Sequence, residues 1–124
     1  ILLCKRAIEP GYGKWTLPSG FMEIGESLEQ GAKREAKEEA NLQVQILHLQ
    51  TTYSLPKIGQ GYRVYLGEII NDDFAPMDET LEVKLFSIQD VPWGNIAFSS
   101  VTFALEKYVD DYNNGVKNQC YSNY

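Results

Sequence analysis

The chain has 124 residues, 44% of them hydrophobic and 23% charged, with a formal net charge of -6. Its length allows one ordinary domain and hence one active site, and its composition is that of a globular chain, neither disordered nor membrane-embedded. The acidic balance argues against a protein that grips nucleic acid polymers, which needs a surplus of Lys and Arg, so an anionic ligand would need cations as intermediaries.

In chain order, Ile1 to Lys5 reads as a short strand, and Pro10, Gly11 and Gly13 mark a turn before an extended stretch at Trp15 to Leu17. Pro18 to Gly25 reads as a loop. Ser27 with Gln30 three residues on is a capping-box pattern, so a helix should run to about Ala40, with Asn41 in the left-handed position beyond it. Val44 to Tyr53 and Tyr62 to Ile70 form a hairpin pattern around Pro56 to Gly61. Asn71 to Met77 is a polar loop, Leu81 to Ile88 a further strand and Pro92 to Asn95 a turn. A final helix should start at a cap on Ser99 or Ser100, run to about Tyr112 and end at Asn113, Asn114 and Gly115. Strands mixed with two helices point to one α/β or α+β domain over residues 1–124.

The first helix carries its charges on an unusual side. At about 100° per residue, Leu28, Ala32, Ala36 and Ala40 form a narrow apolar stripe, and Glu35, Glu38 and Glu39 share the arc beside Leu28. Lys33 and Lys37 lie too far round to neutralise them. Most charge-rich helix faces are simply solvated, but Glu35 and Glu39 are a like-charge pair four residues apart at the apolar edge, and a multivalent cation would offset that repulsion. Carboxylates without nearby His or Cys suit Mg²⁺ or Mn²⁺ better than zinc. The lone His48 has no ligand-spaced partner and reads as an ordinary strand residue. Cys4 and Cys120 lie at opposite ends of the chain and read as packing thiols.

From Gly20 to Leu42 the sequence GFMEIGESLEQGAKREAKEEANL resembles the Nudix box: Gly, five residues, Glu, seven residues, then Arg-Glu-x-x-Glu-Glu. Gly20, Glu26, Arg34, Glu35, Glu38 and Glu39 all fall in place. Ala36 stands where a larger aliphatic is usual, and Asn41 replaces a Gly; Asn tolerates the left-handed conformation. The resemblance implies the Nudix-type α/β/α sandwich with a mixed sheet and the box at its catalytic edge. It implies Glu35 and Glu39 as metal ligands, Glu38 as ligand or general base, and Arg34 with Glu26 as the pair that orients the box, Arg being a rigid fork for carboxylates. The family sometimes takes its base from a later loop, where Asp78, Glu79 and Glu82 stand, Glu82 being preferred.

The stretches LLCKRAIEPGYGKWTLPSGFMEIGES and AFSSVTFALEKY are similar to a Nudix subgroup of FAD and ADP-ribose pyrophosphatases whose bacterial relatives often carry an N-terminal zinc ribbon. Neither a ribbon nor the usual first strand precedes Ile1, so the family fold is expected to begin upstream, and a homodimer stays open. The NADH-cleaving branch has a Ser-Gln-Pro-Trp-Pro-Phe-Pro element where this chain reads YSLPKIGQGY. The expected activity is metal-dependent cleavage of FAD or ADP-ribose to release AMP; a nucleoside triphosphate pyrophosphohydrolase and a non-catalytic nucleotide sensor are the alternatives. Tyr12, Trp15, Tyr53, Tyr62 and Phe98 are candidates for stacking on a base or ring. No apolar run is long enough to span a membrane, and the absence of secretory features gives a cytoplasmic expectation.

Overall fold

A computed structural model describes residues 1–124. Strand β1 (Leu2–Arg6) is the centre of an antiparallel three-stranded sheet, flanked by β2 (Trp15–Thr16) and β5 (Thr80–Leu85). Its side chains alternate between two cores, as the period of a strand requires. Leu2 and Cys4 face helix α1 (Leu28–Ala40), packing with Ala36, Ala40 and Leu42. Leu3 faces the other way, into a cluster with Trp15, Phe86 and Val91 that helix α2 (Ser99–Asn114) closes with Val101 and Leu105. The sheet therefore lies between the two helices.

The second sheet is built on the hairpin β3 (Val44–Leu55) and β4 (Gln60–Ile69), reversed by a 3₁₀ turn at Pro56–Ile58 with Gly59 at φ 64°. On its other edge β3 pairs in parallel with β6 (Tyr121–Ser122). The strands thus form two three-stranded sheets, the first antiparallel and the second mixed. Both edges of β1 are occupied by β2 and β5, so β3 takes other partners.

Helix α1 begins as its capping box requires: Ser27 Oγ accepts from Gln30 N at 3.1 Å and Gln30 Oε1 from Ser27 N at 2.8 Å. It ends on Asn41 at φ 48°, ψ 38°, whose N–H reaches Ala36 O and Lys37 O. Ala36 and Ala40 are buried and Ala32 is half-buried, but Leu28, expected on the same stripe, is exposed at the start of the helix. Helix α2 differs from expectation at its first turn. Phe98 rather than Ser99 or Ser100 is the N-cap, without a side-chain cap; its carbonyl accepts from Val101 N and Thr102 N, both at 3.1 Å. β5 stops at Leu85, because Ser87 Oγ bonds Asp90 Oδ2 at 2.7 Å and Ile88–Asp90 winds into a 3₁₀ turn. No helix is long and apolar enough to cross a membrane.

Candidate active site

The loop before α1 folds back over the first turns of the helix, and Arg34 is the post around which it is organised. Its Nη2 donates to Glu26 Oε1 at 2.8 Å and to Phe21 O at 3.0 Å, while Nε lies 3.1 Å from Glu26 Oε2. Glu26 also accepts from Glu23 N at 2.7 Å. The bond from Arg34, then that N–H, hold the Glu26 carboxyl below the usual carboxylate range, and the pairing raises the guanidinium in turn. The Arg34–Glu26 pair expected from the sequence is therefore present, and it fixes the loop to the helix.

Arg34 Nη1 reaches the other side of the cluster: Glu35 Oε1 at 2.8 Å, Glu38 Oε2 at 3.1 Å and Glu23 Oε1 at 3.5 Å. Glu39 turns elsewhere, accepting from Ser19 N at 3.1 Å. The three expected ligands thus share one end of α1, but no group of three acidic, His or Cys side chains is arranged to hold a metal as the side chains stand. The reason is local: Arg34 collects Glu35 and Glu38, and a backbone donor collects Glu39.

The surroundings nonetheless suit a hard cation. Every side-chain donor is a carboxylate oxygen, the type Mg²⁺ and Mn²⁺ prefer. Burial raises Glu39 to about 7, with repulsion from Glu35 and Glu79 adding and the Ser19 N–H and Arg6 opposing. Burial raises Glu35 as well, against its bond to Arg34. A cation placed here would relieve both. Gly20 passes so close to Glu35 that a Cβ there would overlap the carboxylate as it now lies, so a side chain at this position would push the Glu35 carboxylate aside.

Glu39 also borders a small recess of about 20 Å³ between α1 and β1, shared with Arg6, Glu79 and Thr80. Glu79 is therefore the later-loop carboxylate on the site. Glu82 is not: it stands opposite Lys5 in the β1–β5 ladder, with a salt bridge at 3.6 Å, while Cys4 and Val83 face α1. One residue of strand register puts Glu82 on the α2 side of the sheet. Asp78 lies in the same loop as Glu79 but does not border the recess.

The aromatic candidates scatter. Trp15 is buried, edge-on to Phe86 with ring centroids 4.9 Å apart, so its face is spent in the core and is not free for stacking on a base. Tyr53 packs against Phe103 of α2 at 5.5 Å. Tyr62 lies near the tip of the hairpin, its hydroxyl bonded to Gln60 Oε1 at 2.7 Å. Phe98 carries the Arg6 guanidinium 4.9 Å from its centroid. Tyr12 is exposed in the loop between β1 and β2. Sequence reading passed over Ser19, Glu23 and Arg6. Ser19 acts through a backbone N–H, which any residue type supplies; Glu23 could have been found, being a carboxylate in the loop between Gly20 and Glu26.

The sequence matches the NUDIX domain over residues 1–105. It is 32% identical over 116 residues to an ADP-ribose pyrophosphatase of Methanocaldococcus jannaschii, covering 90% of this chain and 64% of that protein. It is also 32% identical to the nucleoside triphosphatase NudI of an Enterobacter, covering 74% of this chain and 70% of the relative. Among solved structures, a NUDIX hydrolase from Nitrosomonas europaea superposes with a TM-score of 0.92 at 47% identity, covering 98% of this chain and 69% of that one. An ADP-ribose pyrophosphatase from Streptococcus suis shares the fold, with a TM-score of 0.75 at 21% identity and coverage of 99% and 89%. With Gly20, Glu26, Arg34, Glu35, Glu38 and Glu39 of the box in place and the match running over most of its length, this chain belongs to the Nudix family.

Proposed function

We propose that this domain hydrolyses the phosphoric anhydride of a nucleoside diphosphate linked to a second moiety, of the ADP-ribose or FAD type, releasing AMP. The observation that carries this reading is the carboxylate set Glu35, Glu38 and Glu39, gathered at one end of α1 and braced by the Arg34–Glu26 pair. These three residues would hold Mg²⁺ or Mn²⁺. When bound, the cation supplies positive charge at the phosphoryl oxygens and acidifies water. Arg34 and Glu26 keep the loop and helix in register, Gly20 leaves room for Glu35, and Glu79 accepts the proton of the attacking water across the recess beside Glu39. For ADP-ribose, water adds to one phosphorus, the bridging P–O bond breaks, and AMP and ribose 5-phosphate leave.

The archaeal relative supports an ADP-ribose-type substrate, and NudI supports the second reading, a nucleoside triphosphate. A dinucleotide-like substrate offers a recognisable group on each side of the diphosphate, and binding energy from both can position the anhydride. FAD, ADP-ribose, NADH and a set of nucleoside triphosphates, each assayed with Mg²⁺ and Mn²⁺ and with product analysis, test the choice. The expected outcome is the highest kcat/KM for ADP-ribose or FAD, with AMP as product. A triphosphate better by tenfold, about 1.4 kcal/mol at the transition state, would overturn the substrate and leave the chemistry.

A further inference from the structure

Arg6 closes β1 where the β1–β5 register shifts between Lys5 and Arg6, an irregularity of the kind that re-aims a side chain at a strand end. Its guanidinium is held by two contacts: Nε donates to Pro10 O at 2.7 Å, and Cζ lies 4.9 Å from the centroid of the Phe98 ring. Gly11, next to Pro10 in the same loop, has φ 84°, and a Cβ there would come 3.0 Å from Ala97 Cβ, so glycine suits this turn. Nε is the one group of Arg6 with a protein acceptor, which leaves both terminal amino groups uncommitted.

The other cations around the site are occupied. Arg34 serves Glu23, Glu26, Glu35 and Glu38. Lys5 pairs with Glu82 and lies over Trp15. Lys5 and Arg6 both border the recess with Glu39 and Glu79, but Lys5 is drawn to Glu82 and the Trp15 ring, whereas both terminal amino groups of Arg6 lack a protein acceptor; the recess has room for about one water or oxygen atom. A pre-oriented guanidinium beside a set of cation-binding carboxylates is suited to an anion that bridges the two, and a diphosphate has oxygens for both.

We propose that Arg6, braced by the Phe98 ring and the Pro10 carbonyl, binds a phosphoryl oxygen of the substrate diphosphate, so that Phe98 is a platform for the guanidinium rather than for a base. This rests on the hydrolase reading above for its biological sense, yet it is testable without turnover. The test is calorimetric titration of inorganic pyrophosphate, in Mg²⁺, into the wild-type chain and into Arg6→Gln, Arg6→Lys and Phe98→Leu. Arg6→Gln should weaken pyrophosphate tenfold or more, Arg6→Lys and Phe98→Leu by smaller factors, with Mg²⁺ affinity measured alone not weakened. Phe98→Leu should add little in the Arg6→Gln background, because its effect runs through Arg6. Unchanged pyrophosphate affinity in both Arg6 variants, or an equal loss of Mg²⁺ and pyrophosphate affinity, would overturn the proposal. ADP-ribose hydrolysis by the wild type, followed in parallel, separates the two ideas. Arg6-dependent pyrophosphate binding without hydrolysis removes the substrate assignment, and hydrolysis with Arg6-independent binding removes the role of Arg6.

Discussion

Glu39 carries the sharpest consequence at the residue scale. Its carboxyl is raised to about 7 by burial, so between its unfolded value of about 4.5 and 7 the folded chain binds more protons than the unfolded one. In chelator, stability should therefore fall as pH rises through that window, by on the order of 1 kcal/mol after solvent screening. Glu39→Gln keeps an oxygen for the Ser19 N–H and removes the charge. Thermal melts in chelator should show the variant above wild type at pH 8 and close to it at pH 5, while its turnover with Mg²⁺ falls by two orders of magnitude or more, about 2.7 kcal/mol. Gly20→Ala should leave stability nearly unchanged, because the overlapping atoms belong to the flexible end of Glu35, yet displace that carboxylate and lower Mg²⁺ affinity and kcat. Glu79→Gln should slow hydrolysis by tenfold or more and Glu82→Gln by less than twofold, both read from kcat; the reverse order would return the base to Glu82. The box residues were legible in the sequence because six positions at fixed spacing are constrained together. The Glu79–Glu82 choice was not, since it depends on where β5 begins, just after Glu79, and on which face of it Glu82 takes, and a one-residue register decides the latter.

Local chemistry explains which elements could be read and which could not. The capping box and the left-handed residue after it bounded α1 to within a residue, because both ends are set by side chains of known preference. Asn41 does two things there: it adopts φ 48° and its Nδ2 donates to Asp73 O at 3.1 Å. Asn41→Ala should cost ~1 kcal/mol in urea unfolding and Asn41→Gly less, a ranking that a purely side-chain role would invert. The start of α2 was displaced because Phe98 caps with its backbone alone, and Ser99 and Ser100 fall inside the first turn. β6 escaped the sequence altogether: two residues carry no periodicity, and the strand is fixed by distant partners, Asn123 with the Ser54 backbone and Tyr121 with Asp111.

Across the whole molecule, β1 is the member that ties the parts together, facing α1 with Cys4 and α2 with Leu3, and ending in Arg6 at the recess. Burial pushes the Cys4 thiol up to about 12, whereas Cys120 is exposed. Iodoacetamide at pH 8 should accordingly label Cys120 alone in the folded chain and both thiols in urea, as peptide mass mapping would show. The α/β or α+β class was readable from element order and the α/β/α layering was implied by the family resemblance, but the division into two sheets was not, because strand pairing is settled by which edges of β1 are taken. At the acidic end of α1, Arg34 and Ser19 hold the three glutamates proposed to take up a divalent cation. Anomalous diffraction from crystals soaked in Mn²⁺ would locate that cation. A Mn²⁺ peak is expected within about 2.0–2.3 Å of carboxylate oxygens of Glu35 and Glu39, with Glu38 on the same site directly or through water. A Mn²⁺ bound elsewhere, with Glu35 and Glu38 still on Arg34 and Glu39 still on Ser19, would contradict it.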